Sequence, residues 1–307
     1  MFDRANAEAR STLYRKIRDF FDQRGVLEVD VPVLGCGGSV DPHMHSMLVS
    51  HMDKNVYLQT SPEFFLKRLL CDGSGDVYTI CKAFRSGEHG RFHNPEFSLL
   101  EWYRLGFSLE DLIREVLDLL VVLGVSCQVS RLSYAEQFQS VAGLDPHSAG
   151  YAELHTLAAK SGLRGDLDHK GLLEFLMATF VEPQLPSGLV VISDYPSYQA
   201  ELAKVQEDES GNQVARRFEI YLNRVELANG YDELTDAVEQ RKRFEIGRSQ
   251  RKAMGSPEIK FDQKFMEAVE NGLPDCSGVA VGLDRLLMLL LNQKSLADGL
   301  SFSWDQL

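Results

Sequence analysis

The chain has 307 residues, of which 44% are hydrophobic and 25% charged, and its formal net charge is −13 at pH 7. This length and composition suit a globular protein with a sizeable core. The acidic charge excludes long-range attraction to nucleic acid or to an anionic membrane, except through a local basic cluster. The five cysteines are odd in number and scattered, without a C-x-x-C pair, which argues against a disulfide framework or a structural zinc site. The charged N-terminus has no apolar segment, and the apolar run at 286–291 is too short to span a bilayer, so we expect a cytoplasmic protein with no membrane contact.

The first third of the chain predicts a helix followed by strands. Apolar residues recur at helical spacing up to residue 21, and Gly25 stands where such a helix would end. The stretch 26–34 alternates like a half-buried strand until Pro32, and residues 35–55 look like a loop. Beyond it, the patterns predict strands over 56–60, 77–84 and 97–103 and a helix over 62–70. The last two strands, joined by a loop, predict an antiparallel pair.

The remainder of the chain continues to interleave helices and strands. Capping sequences open two helices, at Ser108–Asp111 and at Ser133–Glu136. The stretch 121–185 is helix-rich and has no chemical motif, so we interpret it as a scaffold or insertion. The later elements are a strand over 188–195, two strands around a turn at Asn223–Arg224, a helix from about Asp236 to Lys252, and a strand, turn and helix in GVAVGLDRLLMLLL. Mostly antiparallel strands among helices predict an α+β fold, and the lack of a visible linker predicts a single domain, 1–307.

Two arginines are candidates for binding a nucleotide triphosphate. Arg85 follows a predicted strand, and Arg285 opens a predicted helix late in the chain. Guanidinium groups bind phosphate oxygens in a bidentate manner and keep their charge. Taken singly, each arginine is better explained by a surface ion pair, so the assignment depends on the residues around them.

Three stretches of the chain resemble the signatures of class II aminoacyl-tRNA synthetases: RGVLEVDVPVL, AFRSGEHGRFHNPEFSLLEWY and SGVAVGLDRLLML. Within that class, TSPEFFLKRLL, HNPEF, ELANGYDELTD and the third signature are similar to the lysyl-tRNA synthetase pattern. Ordered segments along a chain are far more specific than a lone G-x-D-R. The resemblance covers nearly everything outside 121–185 and implies an antiparallel sheet flanked by helices. Its first signature implies a homodimer.

The resemblance to lysyl-tRNA synthetases lacks one module. Those enzymes carry an N-terminal oligonucleotide-binding barrel that reads the anticodon, whereas this sequence opens with the helix that precedes the first signature. We therefore expect no anticodon-binding domain. A stand-alone core of this kind resembles the bacterial ligases that attach (R)-β-lysine to a lysine of translation elongation factor P.

Ala280 fits the narrower resemblance. The synthetase pattern has a glycine at this position, and the ligase family has alanine. A methyl group on the pocket floor would crowd the α-amino group of α-lysine and tolerate an amine moved one carbon along. One methyl can shift selectivity by roughly 1–3 kcal/mol. Without the family, Ala280 would be interpreted as a packing residue.

The resemblance implies that ATP activates the amino acid as an aminoacyl-adenylate, which then reacts with an acceptor. It makes Arg85 and Arg285 the catalytic residues, because positioning and charge neutralisation dominate displacements at phosphorus. Arg85 would contact the α-phosphate and the substrate carboxylate, Arg285 would hold the γ-phosphate, and Phe97 would stack on adenine. The remaining ATP contacts that the resemblance implies are Ser86, Gly87, His93, Asn94, Glu226, Leu227 and Gly282.

Two glutamates are the implied Mg²⁺ ligands. Glu219 and Glu226 offer the hard carboxylate oxygens that Mg²⁺ prefers, with phosphate as the co-ligand. Their separation is odd, so on one regular strand they would face opposite sides. The turn at Asn223–Arg224 removes this objection because it puts them on two strands.

For the amino acid, the resemblance implies that Glu63 pairs with the amine near the carboxylate, while Glu101, Tyr103 and Glu233 surround the distal ammonium. Converging carboxylates repel one another unless a dication enters, which is a physical reason to select a lysine-like substrate. Taken singly, Glu63 and Glu233 could equally be solvated ends of a helix or strand. The other implied substrate contacts are Ser61, Pro62, Asn229, Tyr231 and Ala280.

One position departs from the synthetase pattern. The loop after the strand usually reads Arg-x-Glu, and that glutamate contacts the adenine amino group. Here Gly87 occupies the position and Glu88 follows it. We therefore expect the adenine contacts to come from backbone groups or from Glu88.

Three functions stay open from the sequence. The leading one is an ATP-dependent protein–lysine ligase that acts on elongation factor P. A truncated lysyl-tRNA synthetase-like enzyme that charges tRNA is the second, although the acidic charge and the missing barrel make tRNA an unlikely partner. The third is a non-catalytic regulatory paralogue, against which the retention of both arginines and both metal carboxylates argues.

Overall fold

The computed structural model describes residues 3–51 and 54–307, so the parts of these expectations that fall on residues 1, 2, 52 and 53 lie outside the described residues. In chain order the helices are α1 (Arg4–Asp22), α2 (Glu63–Cys71), α3 (Leu109–Leu123), α4 (Tyr134–Ala142), α5 (Tyr151–Lys160), α6 (His169–Leu176), α7 (Ala237–Ala253), α8 (Gln263–Gly272), α9 (Leu283–Leu290) and α10 (Leu296–Gly299). The strands are β1 (Leu27–Glu28), β2 (Leu34–Gly35), β3 (Leu48–His51), β4 (Lys54–Leu58), β5 (Val77–Phe84), β6 (Glu96–Leu105), β7 (Val129–Ser133), β8 (Leu189–Pro196), β9 (Val205–Glu207), β10 (Gln213–Leu222), β11 (Val225–Asp232) and β12 (Cys276–Gly282).

The chain folds into two compact units. The first combines the chain up to Val125 with Leu234–Leu307, and the second is Ser126–Glu233. The second unit includes helices α4 to α6, as expected for the helix-rich stretch 121–185, but also strand β7 within that stretch and the strands that follow it. A single domain over 1–307 stays a prediction.

The sheet of the first unit runs in the order β1–β5–β6–β12. Strand β1 is parallel to β5, and the other neighbours are antiparallel. The predicted antiparallel pair of β5 and β6 is confirmed, with a register from Val77 opposite Tyr103 to Phe84 opposite Glu96. The predicted strand over 26–34 is interrupted: it contains Leu27–Glu28 of β1 and Leu34, the first residue of β2, which belongs to another sheet. Pro32, which cannot donate to a ladder, lies in the gap.

A second, smaller sheet in this unit has the order β2–β4–β3. Strand β3 pairs with β4 in antiparallel register, with Leu48 opposite Tyr57. The predicted loop over 35–55 is therefore wrong in part, because it contains β3 and the start of β4.

Strand β6 separates the core of the first unit from the candidate site. Successive side chains of a strand point to opposite faces. On one face, the Trp102 Nε1 donates to a carboxylate oxygen of Glu115 in α3 at 2.9 Å, and the Trp102 ring lies 5.2 Å from that of Phe21 in α1. This face is covered by α1 and α3. The odd-numbered residues 97–103 point to the other face.

The second unit has a mostly antiparallel sheet in the order β11–β10–β8–β7, with β9 on β10 and with β7 parallel to β8. Its helices pack on the sheet through a buried apolar cluster that includes Tyr134, Phe138 and Leu172. The predicted turn between β10 and β11 is confirmed. Asn223 and Arg224 have φ of 50° and 70°, the left-handed pair that a tight hairpin turn needs. The fold is α+β, as predicted, with one parallel strand pair in each unit.

No helix in the described ranges 3–51 and 54–307 combines the length and the apolar character needed to cross a membrane.

Candidate active site

The end of β5 brings an arginine over an aromatic ring of β6. Arg85 directly follows β5, and its guanidinium lies 5.1 Å from the centre of the Phe97 ring. The Arg85 Nε also donates to the carbonyl oxygen of Thr60 at 3.4 Å. The residues predicted to bind the α-phosphate and the adenine therefore lie together, on the face of β6 opposite α1 and α3.

Both predicted catalytic arginines contact the loop between β5 and β6. Arg285, in the first turn of α9, donates from Nε to the carbonyl oxygen of Phe92 at 3.0 Å. Its Nη2 lies 2.9 Å from Nε2 of His93. Arg85 opens the same loop, and its backbone N–H donates to the carbonyl oxygen of Pro95 at 2.9 Å. One loop thus links the two guanidinium groups.

The start of α9 is held in place by Asp284, which the sequence analysis missed. Its buried carboxylate forms an ion pair with Arg10 of α1 at 2.6 Å and accepts the backbone N–H of Ser98 in β6 at 2.7 Å. Because Arg285 is the next residue and Gly282 caps the helix, this network positions the arginine. The acid directly before the arginine in GLDR was the available signal.

Three further predicted nucleotide contacts, besides Arg85 and His93, lie in the loop between β5 and β6. Gly87 has φ of 84°, where a side chain is strained, so the departure from Arg-x-Glu coincides with a turn that needs glycine. Ser86 donates its backbone N–H to the carbonyl oxygen of His45 at 2.8 Å. Asn94 donates from Nδ2 to the Glu96 carbonyl oxygen at 2.6 Å.

The C-terminal segment also contacts this loop. The Oδ1 of Asn94 accepts the backbone N–H of Trp304 at 3.3 Å, and His89 lies 3.3 Å from the Asp305 carboxylate. Glu88, the alternative adenine contact, lies instead 3.7 Å from the Arg85 guanidinium.

Glu63 and Lys67 form a buried pair at the start of α2. Glu63 is the first residue of the helix, and its backbone N–H donates to Ser61 Oγ at 3.3 Å beside Pro62, the N-cap. Its Oε1 accepts a hydrogen bond from Lys67 Nζ at 2.5 Å, and the Lys67 side chain is completely buried. Sequence reasoning missed Lys67, because a lysine in an amphipathic helix is normally solvated.

Glu101 is a buried carboxyl group on the same face of β6 as Phe97. Its Oε1 accepts the hydroxyl of Tyr103 at 3.0 Å, and its Oε2 is buried without a hydrogen-bond partner among the described residues. Burial raises the pKa of Glu101 from 4.5 to about 8, and the nearby Glu63 carboxylate is the second cause of this rise. The Tyr103 hydrogen bond and the charges of Lys67 and Arg85 lower the pKa and offset part of the rise. In this structure the group therefore holds a proton at neutral pH.

The sheet register places Ala280 beside this carboxyl group. Ala280 in β12 is directly opposite Glu101 in β6, and Thr79 in β5 is opposite Glu101 on the other side. Side chains of opposed residues lie on the same face, with Cβ atoms about 4.5–5.5 Å apart. The methyl group of Ala280 thus borders the space around Glu101.

The β10–β11 hairpin of the second unit carries the predicted metal ligands on two strands, as the sequence predicted. Glu219 lies in β10 opposite Asn229, and Glu226 in β11 lies opposite Tyr221. A bulge between these pairs leaves Leu227 without an opposed residue. Both oxygens of Glu219 accept hydrogen bonds of 2.5 Å, one from Arg217 Nη2 and the other from the Tyr221 hydroxyl.

Burial raises the pKa of Glu219, an effect that Arg217 opposes and the Glu226 carboxylate reinforces. A cation between the two carboxylates would relieve that repulsion. Within the described ranges, His, Cys, Asp and Glu side chains nowhere form a group of three that could hold a metal ion. Two carboxylates still fit Mg²⁺, which proteins commonly bind through one or two carboxylates with substrate phosphates and water.

Arg217 is the third residue that sequence reasoning missed, after Asp284 and Lys67. Besides Glu219, its guanidinium donates to Asn229 Oδ1 at 3.2 Å and lies 3.3 Å from the Glu201 carboxylate. The hydroxyl of Tyr231 accepts from Asn229 Nδ2 at 3.0 Å and donates to Glu201 Oε2 at 2.7 Å. Arg217 thus connects a predicted metal ligand with two predicted substrate contacts. Its position two residues before Glu219 on the same strand, and so on the same face, was the available signal.

The remaining predicted substrate contact, Glu233, follows β11 directly. It is buried and forms an isolated bridge with Ala203. The predicted site residues therefore form one set in each unit. The set of the first unit is Ser61, Pro62, Glu63, Arg85, Ser86, Gly87, His93, Asn94, Phe97, Glu101, Tyr103, Ala280, Gly282 and Arg285, and that of the second is Glu219, Glu226, Leu227, Asn229, Tyr231 and Glu233.

The chain belongs to the class II tRNA synthetase family. Residues 3–306 match the family described as tRNA synthetases class II (D, K and N). Proteins that are similar to this chain include several named elongation factor P–(R)-β-lysine ligase. That of Haemophilus influenzae is 42% identical over 312 residues, which cover 99% of this chain and 96% of the relative. The protein of Mannheimia succiniciproducens is 43% identical over 303 residues (95% and 93%), and that of Edwardsiella ictaluri is 41% identical over 313 residues (98% and 96%). The resemblance drawn from the sequence motifs is thereby confirmed.

Proposed function

We propose that this protein is an ATP-dependent ligase that activates (R)-β-lysine, or lysine, as an aminoacyl-adenylate and transfers it to a lysine side chain of translation elongation factor P. The observation that carries the proposal is the buried Glu101 carboxyl, which shares a strand face with Tyr103, lies opposite Ala280 and is close to Glu63. Relatives more than 40% identical over almost the whole chain carry the ligase name. The tRNA-charging and non-catalytic alternatives are not favoured by these relatives.

In the first step, a carboxylate oxygen of the amino acid forms a bond to the α-phosphorus of ATP, while the bond from that phosphorus to pyrophosphate breaks. We assign Arg85 to the charge that develops around the α-phosphate, because its guanidinium lies over Phe97, the proposed adenine platform. Arg285, with His93 beside it, is assigned to the γ-phosphate. Ser86, Gly87, Asn94, Leu227 and Gly282 are proposed as further nucleotide contacts.

In the second step, the ε-amine of the acceptor lysine attacks the adenylate carbonyl, loses a proton and expels AMP, leaving an amide. The protein contributes mainly by holding the mixed anhydride and the acceptor in place.

Recognition of the amino acid rests on its two amines. The raised pKa of Glu101 favours its protonated form when no ammonium ion is bound, so the folded protein avoids the cost of a buried lone carboxylate. An entering ammonium ion favours the ionised form, and the proton is released. A neutral substrate side chain cannot stabilise the ionised form of Glu101, which supports selection of a diamino acid. We assign Glu63 to the amine near the carboxylate, and Tyr103, Asn229, Tyr231 and Glu233 to the distal amine. Ser61, Pro62 and Ala280 complete the proposed contacts.

Glu219 and Glu226 are the proposed Mg²⁺ ligands. When bound with ATP, the ion neutralises phosphate oxygens. Arg217 and Tyr221 hold the Glu219 carboxylate from both sides, so its orientation is set by the protein. The repulsion between the two carboxylates supports a cation site here.

We also propose that the protein works as a homodimer in the cytoplasm, where translation factors act. Apolar side chains in and near the first signature are exposed in the single chain, namely Leu27, Val33, Leu34 and Leu48. Burying such side chains against a second copy would be favourable.

The test is an incubation of the protein with ATP, Mg²⁺, purified elongation factor P and isotopically labelled lysine isomers, followed by intact-mass measurement. We expect the factor to gain one lysyl group only when ATP is present, with (R)-β-lysine preferred. An Arg285→Ala variant and bulk tRNA as the acceptor are the controls. Transfer to tRNA instead of the factor, or no pyrophosphate exchange with any diamino acid, would contradict the proposal.

A further inference from the structure

Lys67 is a completely buried lysine in the first unit. It lies one helical turn after Glu63, and its Nζ is 2.5 Å from Glu63 Oε1 and 6.0 Å from the centre of the Tyr103 ring. An ammonium ion taken out of water costs several kcal/mol unless it is paired. Its partner is the carboxylate assigned to the substrate amine, so the pair lies within the amino-acid site and not at its edge.

The pair restricts the Glu63 carboxylate. Glu63 is at the first position of α2, and its side chain retains 18% exposure, while that of Lys67 has none. Because Lys67 binds Oε1 from the buried side, the carboxylate cannot rotate about its last bond without breaking a charge-assisted hydrogen bond. Oε2 is the oxygen left to meet a substrate amine.

Lys67 also acts on the charge around Glu101. Among the described residues of the first unit, the charged and titratable groups that act on Glu101 include Glu63 and Lys67 of α2, Cys81 of β5, Arg85 after β5 and Tyr103 of β6. Burial and Glu63 oppose ionisation of Glu101, and Lys67 and Arg85 favour it. Within this set of the first unit, the carboxylates of Glu63 and Glu101 are balanced by the fixed cations of Lys67 and Arg85 when all four are ionised. Without Lys67 the set would carry one excess negative charge.

We infer that Lys67 is a positioning and specificity-determining residue of the amino-acid site: it orients Glu63 and supplies the fixed cation that lets Glu63 and Glu101 each receive one amine of a diamino acid. The inference rests on the proposed function. It also predicts what the site rejects. A simple diamine carries two positive charges and no carboxylate, so it gains from an excess negative charge, whereas a diamino acid carries a net charge of one.

The test compares Lys67→Met with Lys82→Met, in which the replaced lysine is half-exposed on β5 and pairs with Glu96 at 3.3 Å. Pyrophosphate exchange is measured against (R)-β-lysine, lysine and ATP between pH 6 and 9, with cadaverine as the diamine inhibitor. For Lys67→Met we expect KM for both diamino acids to rise about tenfold or more, since an opposite charge at this distance shifts an ionisation equilibrium by that order. The kcat and the KM for ATP should stay close to wild type.

The pH profile separates positioning from loss of structure. Without the Lys67 charge the pKa of Glu101 rises further, so the acid limb of kcat/KM for the amino acid should move to higher pH. Inhibition by cadaverine should strengthen relative to the KM for β-lysine. Lys82→Met should show none of these changes.

Lys67→Gln gives a second measurement if Lys67→Met does not fold, because the shorter glutamine side chain keeps an N–H donor for a polar partner and removes the charge. The shifted acid limb should persist in it. A folded variant with an unchanged KM for diamino acids and an unmoved acid limb would overturn the inference. Wild-type protein that exchanges with no diamino acid would instead refute the proposed function.

Discussion

Replacing Glu101 by glutamine should stabilise the protein at neutral pH and strongly reduce its activity. Glu101 is 3% exposed, and its pKa in the folded protein is about 8 instead of the ordinary 4.5. The unfolded chain releases this proton above pH 4.5, whereas the folded chain keeps it. The contribution of Glu101 to stability is therefore fully present below pH 4.5 and is lost as the pH rises to 8. In this window the free energy of unfolding falls by about 1.4 kcal/mol for each pH unit, so roughly 3 kcal/mol of it is lost at pH 7.

Glu101→Gln keeps the shape and an oxygen for the Tyr103 hydroxyl, and it removes the titration. Urea unfolding of wild type and variant at pH 5, 6, 7 and 8 should show an advantage of the variant that is small at pH 5 and grows by about 1.4 kcal/mol per pH unit. Glu96→Gln, at a half-exposed position on the same strand, is the matched control and should show no such trend. Exchange with (R)-β-lysine should fall roughly 100-fold in Glu101→Gln, because a buried partner of the ammonium is lost.

Two results would refute this reasoning. A stability difference that is constant with pH would mean that Glu101 titrates normally in the folded protein. Exchange at the wild-type rate in Glu101→Gln would mean that the carboxylate does not bind the substrate ammonium.

Other substitutions test separate parts of the structure. Ala280→Gly should raise exchange with α-lysine relative to β-lysine by about tenfold or more, since one methyl beside Glu101 is worth roughly 1–3 kcal/mol; kcat/KM for both isomers is the measurement. Arg217→Met should raise the Mg²⁺ concentration for half-maximal exchange about tenfold, because Glu219 loses its orienting partner; a Mg²⁺ titration at saturating ATP checks this. Ser108→Ala should lower the free energy of unfolding by about 1 kcal/mol without changing exchange, because only the N-cap of α3 is lost; urea unfolding with a parallel exchange assay tests both halves.

Local features could be predicted from the sequence because their causes are local. The capping boxes at Ser108 and Ser133 each join residues three positions apart, and both are present. The hairpin that separates Glu219 from Glu226 follows from two adjacent residues that tolerate left-handed backbone. The family signatures belong to the same category, since each is a short run of residues.

Strand length in the first signature was harder to predict. The alternation over 26–34 is that of a strand, but only Leu27–Glu28 pairs with β5. Alternating apolar and polar residues indicate which side chains are half-buried. A strand also needs a neighbouring strand with free backbone hydrogen-bonding groups.

By itself, the sequence determined the synthetase family, the α+β character, the helix caps and the identity of most chemical groups in the site, because these depend on residue type and short spacing. Only the tertiary structure decided that Ala280 lies opposite Glu101, that Lys67 is buried against Glu63 and that Arg217 links Glu219 to Asn229. These depend on strand register and on burial between elements distant in the chain. The same lysine is a solvated surface charge or a buried counter-ion according to what packs over it, and residue type alone does not distinguish the two.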